Sequence, residues 1–196
     1  MSGRTICHQC DRPTSVCLCD ALVHTLAPLE LVIWQDPDEA RHRLSTAPLL
    51  HKSITNSRLV VADQYDPVKL LGPGWRQNTV LLFPLEHKPE CPVEQARQCQ
   101  QLLILDGTWR KVRRLLLLNP WLKELPHLQL TPAELSRYRP IRKSPRPDGL
   151  STLEAAVAGL NRLVASSEFD AVAGVLDRLV ELQLQSQSQS QARQVK

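Results

Sequence analysis

Leu102-Leu103-Ile104-Leu105 is an unbroken apolar run, too brief for a buried helix and bounded by breakers, and so it reads as a strand buried on both faces. Beyond it, Trp109, Val112, Leu115 and Leu116 recur at helical spacing. The residues between, Asp106-Gly107-Thr108-Trp109, therefore set a carboxylate and an indole where a strand becomes a helix. Open α/β sheets hold their chemistry at that end of their strands.

The rest of the chain repeats the alternation. Residues 29–34 read as a first strand, and Gln35-Asp36-Pro37-Asp38-Glu39 as a loop into a helix that Pro37 is well placed to start. Residues 58–62 and 79–83 read as further strands, the latter ended by Pro84, with Gly72-Pro73-Gly74 as a turn between them. A short helix over 92–100 precedes the strand 101–105, and a proline-marked irregular segment follows the next helix as far as Asp148. Helices over about 152–166 and 168–183 finish the ordered part. The expectation is an α/β fold, a mostly parallel sheet with helices on both faces. A chain of 196 residues buries one such core with room for a small appended module. We divide it into a cysteine segment (1–24), the α/β domain (25–182) and a tail (183–196) whose Ser-Gln repeats lack an apolar face and predict disorder.

Cys7-x-x-Cys10 and Cys17-x-Cys19 set four thiols within 13 residues, with Asp11-Arg12-Pro13-Thr14 supplying a turn between the pairs. That spacing suits a tetrahedral zinc site in which Cys7, Cys10, Cys17 and Cys19 fill every position, so the metal is structural. A redox pair at Cys7 and Cys10 and an iron–sulfur cluster are the alternatives left by spacing alone. His8 reads as an exposed bystander, and Cys91 and Cys99 as ordinary partly buried thiols. No apolar stretch is long enough to span a bilayer, and Met1-Ser2-Gly3-Arg4 has no signal-peptide core. The expected location is the cytoplasm, with no membrane partner and with reduced thiols.

The net charge of +4 is unevenly spread: residues 109–147 carry ten Lys or Arg against Glu124 and Glu134. Such a surface suits a phosphate backbone, although Arg110, Lys111, Arg113 and Arg114 also fit a merely solvated helix face. There is no Walker-type phosphate loop and no nucleophile, base and orienter set.

Asp-x-Thr-Trp after an apolar strand, Arg142-Lys143 and Ser151-Thr152-Leu153-Glu154-Ala155 downstream, and the cysteine cluster upstream resemble the DTW-domain family of tRNA-uridine aminocarboxypropyltransferases, over about residues 5–165. The resemblance implies a SPOUT-like fold with a trefoil knot, which no hydrophobic pattern reveals. It also implies S-adenosylmethionine as co-substrate and tRNA as partner. The 3-amino-3-carboxypropyl arm would pass to uridine N3, giving acp3U in the tRNA variable loop and 5′-methylthioadenosine. Two other readings remain: a SPOUT-like RNA methyltransferase, since fold and donor do not fix which carbon is attacked, and a noncatalytic zinc-ribbon RNA-binding protein. Oligomeric state is left open.

Projected onto this sequence, the family's donor site falls on Pro84, Leu85, Leu105, Ile141, Arg142, Leu150, Ser151, Thr152 and Glu154. Asp106 is the candidate base, or else orients the uracil or attracts the sulfonium; Thr108 and Trp109 complete the catalytic set. Arg110, Arg113, Arg114, Arg139, Lys143 and Arg146 are the candidate RNA contacts, although Arg142 or Lys143 would serve equally to pair the donor's carboxylate. Asp106 also fits a plain helix N-cap, Trp109 a core anchor, and Ser151 with Glu154 a capping box with Leu150 as its staple. Relatives often carry His-Pro and Asn-Thr where this chain has Asp36-Pro37 and Ser45-Thr46, so the resemblance does not carry over any function that depends on that histidine.

Overall fold

The structure, a computed structural model, describes residues 5–131, 135–142 and 149–194, with side chains to 189. In chain order the elements are β1 (Glu30–Gln35), α1 (Pro37–Ala40), α2 (Ala47–Ser53), β2 (Ser57–Val61), α3 (Pro67–Leu71), α4 (Trp75–Asn78), β3 (Thr79–Leu82), α5 (Val93–Arg97), β4 (Gln101–Asp106), α6 (Trp109–Leu118), β5 (His127–Leu128), α7 (Thr152–Val164) and α8 (Gly174–Gln194). The five strands form one parallel sheet in the order β2-β1-β4-β3-β5.

Strand parity sorts the two cores. Leu31, Ile33, Leu102 and Ile104 face the core shared with α2, α7 and α8, while Val32, Trp34, Leu103 and Leu105 face the core shared with α3, α4 and α6. Trp34 anchors the second core: its ring stacks on Trp121 at 5.9 Å and meets Tyr65 edge-on at 5.3 Å, and its indole N–H donates to the Ala62 carbonyl at 2.7 Å. The layer of α7 lies close to the sheet because residue 159 is glycine; a Cβ there would stand 2.7 Å from a Leu82 methyl. The expected turn at Gly72-Pro73-Gly74 has both glycines at positive φ, +83° and +79°, a region that penalises any other residue.

The hydrophobic pattern does not mark the short elements α2, α3, α4 and β5, because pieces of two to seven residues carry too little periodicity to register. The last helix begins at Gly174 and not at 168, since Asp170–Ala173 forms a 3-10 turn. The Ser-Gln segment, expected to be disordered, continues α8 to Gln194. Gln, Arg and Ala add to an existing helix at small cost, and no burial is needed for that extension. The cysteine segment is docked on the domain: Leu18 is fully buried in the α7 core, and Asp11 pairs with Lys52 of α2 at 3.0 Å. Among the described residues no helix is long and apolar enough to cross a membrane.

Candidate active site and cysteine cluster

The chain leaves β1 toward one edge of the sheet, where β2 lies, and leaves β4 toward the other, where β5 lies. A crevice therefore opens between the carboxyl ends of these adjacent strands. Gln35 and Asp106 end β1 and β4, are register partners, and have the parity of the residues that face α7. Their side chains meet: Gln35 Nε2 donates to Asp106 Oδ2 at 2.7 Å and to Ser45 Oγ at 2.8 Å. The hydroxyl of Thr152, the first residue of α7, donates to Asp106 Oδ1. Asp106 is only 3% exposed, and burial pushes its carboxyl above the usual range, against the opposing bonds from Thr152 and Gln35.

Asp106 is not a helix cap. Thr108 caps α6 by accepting the Lys111 N–H at 3.4 Å, and Asp36 caps α1 by accepting the N–H groups of Asp38 and Glu39 at 2.9 and 3.3 Å. Asp36 and Glu39 are as buried as Asp106, at 0% and 1% exposure, but each holds cations. Asp36 accepts from Arg114 at 2.8 Å; Glu39 accepts from Lys111 at 3.0 Å and from Arg142. Burial raises both carboxyls, yet these cations win and hold them below the ordinary range. Gly107 makes the crossing possible, since a Cβ there would sit 3.1 Å from Lys111 Cβ and 3.5 Å from Asp36 Cβ.

Two compartments share the wall made by Gly107, Trp109, Leu150, Ser151 and Thr152. The larger, about 260 Å³, is mainly apolar, with Phe83, Pro84, Leu105, Val112 and Leu130 among its lining; Phe83 and Trp109 rings lie 5.6 Å apart. The smaller, about 90 Å³, is polar, bounded by Glu39, Thr46, Asp106, Ser136, Tyr138 and Arg142. Tyr138 donates its hydroxyl to the Leu44 carbonyl, and burial pushes its pKa up to about 12. The Ser151–Glu154 capping box is present, and the Glu154 carboxylate also accepts from Ser136 Oγ and the Arg137 N–H, each at 2.7 Å.

Pro84, Leu105, Trp109, Arg142, Leu150, Ser151 and Thr152 are thus brought together, with Thr108 lining the polar compartment. Leu85 lines neither compartment and packs in the core shared with α3, α4 and α6, Ile141 packs against the α7 core, and Glu154 is taken up in capping and in holding the 136–137 backbone. Of the candidate RNA contacts, Arg110 and Arg139 are exposed and Arg113 pairs loosely with Glu86 at 3.3 Å. Arg114 is engaged by Asp36 and Asp63, so its charge fastens α6 to the domain. Lys143 and Arg146 lie outside the described residues. Sequence reasoning missed Gln35, Glu39, Ser136 and Tyr138. For Gln35 the signal was present: a polar residue ending a buried strand, at the parity of the α7 face.

The four sulfurs of Cys7, Cys10, Cys17 and Cys19 lie within 4.8 Å of one another, with Cys7 to Cys19 at 3.5 Å and Cys10 to Cys17 at 3.6 Å. Zinc bonded to sulfur at its usual length requires tetrahedron edges of roughly 3.8 Å, so the cluster fits such an ion. Backbone N–H groups of Cys10 and Gln9, and then the neighbouring thiols, draw Cys7 down to about 6, while the same cluster pushes Cys17 and Cys19 up, so without a metal the four share one thiolate. Four cysteines here can hold a metal.

A parallel sheet with a buried acid at its switch point, beside a two-part cavity, places the chain among open α/β proteins with a site at the carboxyl ends of the strands. The chain belongs to the DTW-domain family, whose domain it matches over residues 4–184. It is similar to tRNA-uridine aminocarboxypropyltransferase 2 of Drosophila melanogaster (30% identical; 84% of this chain, 69% of that protein) and of Macaca fascicularis (29%; 93% and 64%). It is also similar to tRNA-uridine aminocarboxypropyltransferase A of Arabidopsis thaliana (29%; 57% and 50%). The chain spans about half to two thirds of the length of these relatives. No solved structure matches it.

Proposed function

We propose that the chain transfers the 3-amino-3-carboxypropyl group of S-adenosylmethionine to N3 of a tRNA uridine, forming acp3U and releasing 5′-methylthioadenosine. The observation that carries this reading is the meeting of an apolar and a polar compartment at Trp109 and Thr152, with Asp106 buried in the polar one. The larger compartment suits the thioadenosine end, against Pro84, Leu105 and Leu150. The smaller suits the amino-acid arm, whose carboxylate Arg142 and the N-terminus of α7 would receive.

In the reaction the uridine N3–carbon bond forms as the carbon–sulfur bond breaks, and the sulfur leaves with the bonding pair. The sulfonium activates the carbon, so the protein supplies alignment and a base. Asp106 takes the N3 proton. Each of its oxygens already accepts one hydrogen bond, Oδ2 from the Gln35 amide and Oδ1 from the Thr152 hydroxyl, and a second lone pair on either is the site for that proton. Trp109 and Phe83 wall off water and offer a stacking face for the pyrimidine. Arg110, Arg113 and Arg139 would meet tRNA phosphates, with Lys143 and Arg146 assigned the same role from sequence. Cys7, Cys10, Cys17 and Cys19 would hold a structural zinc, and the cytoplasm suits their reduced state. The SPOUT-like knot belongs to the same proposal; the insertion of β4 between two earlier strands, and the return of residues 149–152 to its carboxyl end, support it.

Incubating the full chain with unmodified tRNA and S-adenosylmethionine tests this. Methylthioadenosine as coproduct and acp3U among the tRNA nucleosides are expected, with Asp106→Asn slower by at least about 100-fold. S-adenosylhomocysteine as coproduct would establish methyl transfer instead, and tRNA binding without turnover a noncatalytic role.

A further inference from the structure

Among the described residues three acidic side chains are buried, and their partners differ in kind. Asp36 is paired with Arg114 and stands 4.0 Å from Lys111. Glu39 is paired with Lys111 and Arg142. Asp106 has a neutral amide on one oxygen and a neutral hydroxyl on the other. Yet Glu39, Arg142 and Asp106 line the same small polar compartment. A guanidinium with no other carboxylate there would be drawn to Asp106, since charge-assisted pairs in a secluded site are much stronger than neutral ones.

We propose that Glu39 is a positioning residue: by holding Arg142, with Lys111 as its second partner, it keeps that guanidinium off Asp106 and leaves the acid at the end of β4 with neutral partners only. The assignment of Asp106 as base rests on the transfer reading above; its charge environment does not. The groups that face it are Gln35 from β1, Glu39 from α1, Tyr138 and Arg142 from the segment after β5, Lys111 from α6 through Glu39, and Thr152 from α7. Glu39 raises the proton affinity of Asp106 and Arg142 lowers it. The two therefore act on Asp106 in opposite senses.

That opposition has a signature that a merely structural ion pair lacks. In the full chain with carboxyl-carbon-labelled aspartate, the Asp106 resonance is identified by its loss in Asp106→Asn and followed by NMR against pH, without substrate. Glu39→Gln is expected to lower the Asp106 midpoint by about one pH unit, Arg142→Met to raise it, and the double variant to restore it. If Glu39→Gln does not fold, Arg142→Met still decides, because its Asp106 midpoint must rise. A midpoint unmoved by Arg142→Met, or a double variant that fails to return it, overturns the proposal. In the transfer assay, the acid limb of the rate profile should move with the midpoint. Absence of methylthioadenosine in the unaltered chain would sink the transfer reading alone, because the titration needs no turnover.

Discussion

His127 is a residue whose burial has a measurable cost. It is fully buried on β5, and neither ring nitrogen has a hydrogen-bond partner among the described residues. Burial, aided by nearby Lys88 and opposed by Glu90, pushes its pKa below the ordinary value. The folded state thus resists a proton that the unfolded state accepts near pH about 6.5, so stability falls as pH drops below that value and is unaffected above it. His127→Leu should remove two unsatisfied nitrogens, gain about 1 kcal/mol at neutral pH and flatten the loss toward acid. Thermal melts between about pH 5 and 8 check both the gain and its slope. Asp106 was placed from sequence because a strand end needs only a pattern break to locate. Gln35, Glu39 and Arg142 gain their roles from residues 71 to 103 positions away, which no local pattern encodes.

At the scale of the element, α7 couples fold and site. Ser151 accepts the Glu154 N–H at 3.2 Å and Glu154 answers at the Ser151 N–H at 2.8 Å, so the first turn is fixed just where Thr152 reaches Asp106. Ser151→Ala should cost about 1 kcal/mol of stability. It should also lower transfer more than that loss alone explains, because Thr152 then loses its register with Asp106; activity measured well below the melting temperature separates the two effects. The capping box was legible as a four-residue motif, and so was the Thr108 region as the start of α6. The α1 cap was legible only in part: Pro37 marked the helix start, but Asp36 owes its weight to Arg114, half-way along the chain.

Across the whole molecule, the cysteine segment is where a metal would tie an extension to the domain. Leu18 lies between Cys17 and Cys19 and is fully buried in the α7 core, so releasing the thiols loosens a side chain that the domain itself uses. Metal analysis of the purified chain should find one zinc per molecule. Chelation, or Cys10→Ser, should lower the melting temperature by several degrees, the shift expected for about 1 to 2 kcal/mol in a domain of this size. A metal-free chain with an unchanged melt would remove the structural role.

Periodicity, punctuation and short motifs by themselves determined the alternating α/β class, the strand end at Asp106, the cap at Ser151 and the four-cysteine set, because each depends on residues close in the chain. Only the tertiary structure decided that β4 lies between β1 and β3, that Gln35 meets Asp106, and that Arg114 and Arg142 answer buried acids at Asp36 and Glu39. The reason is physical: strand order and buried charge pairing are settled by which surfaces exclude water together, and that is a property of the packed chain and not of any segment of it.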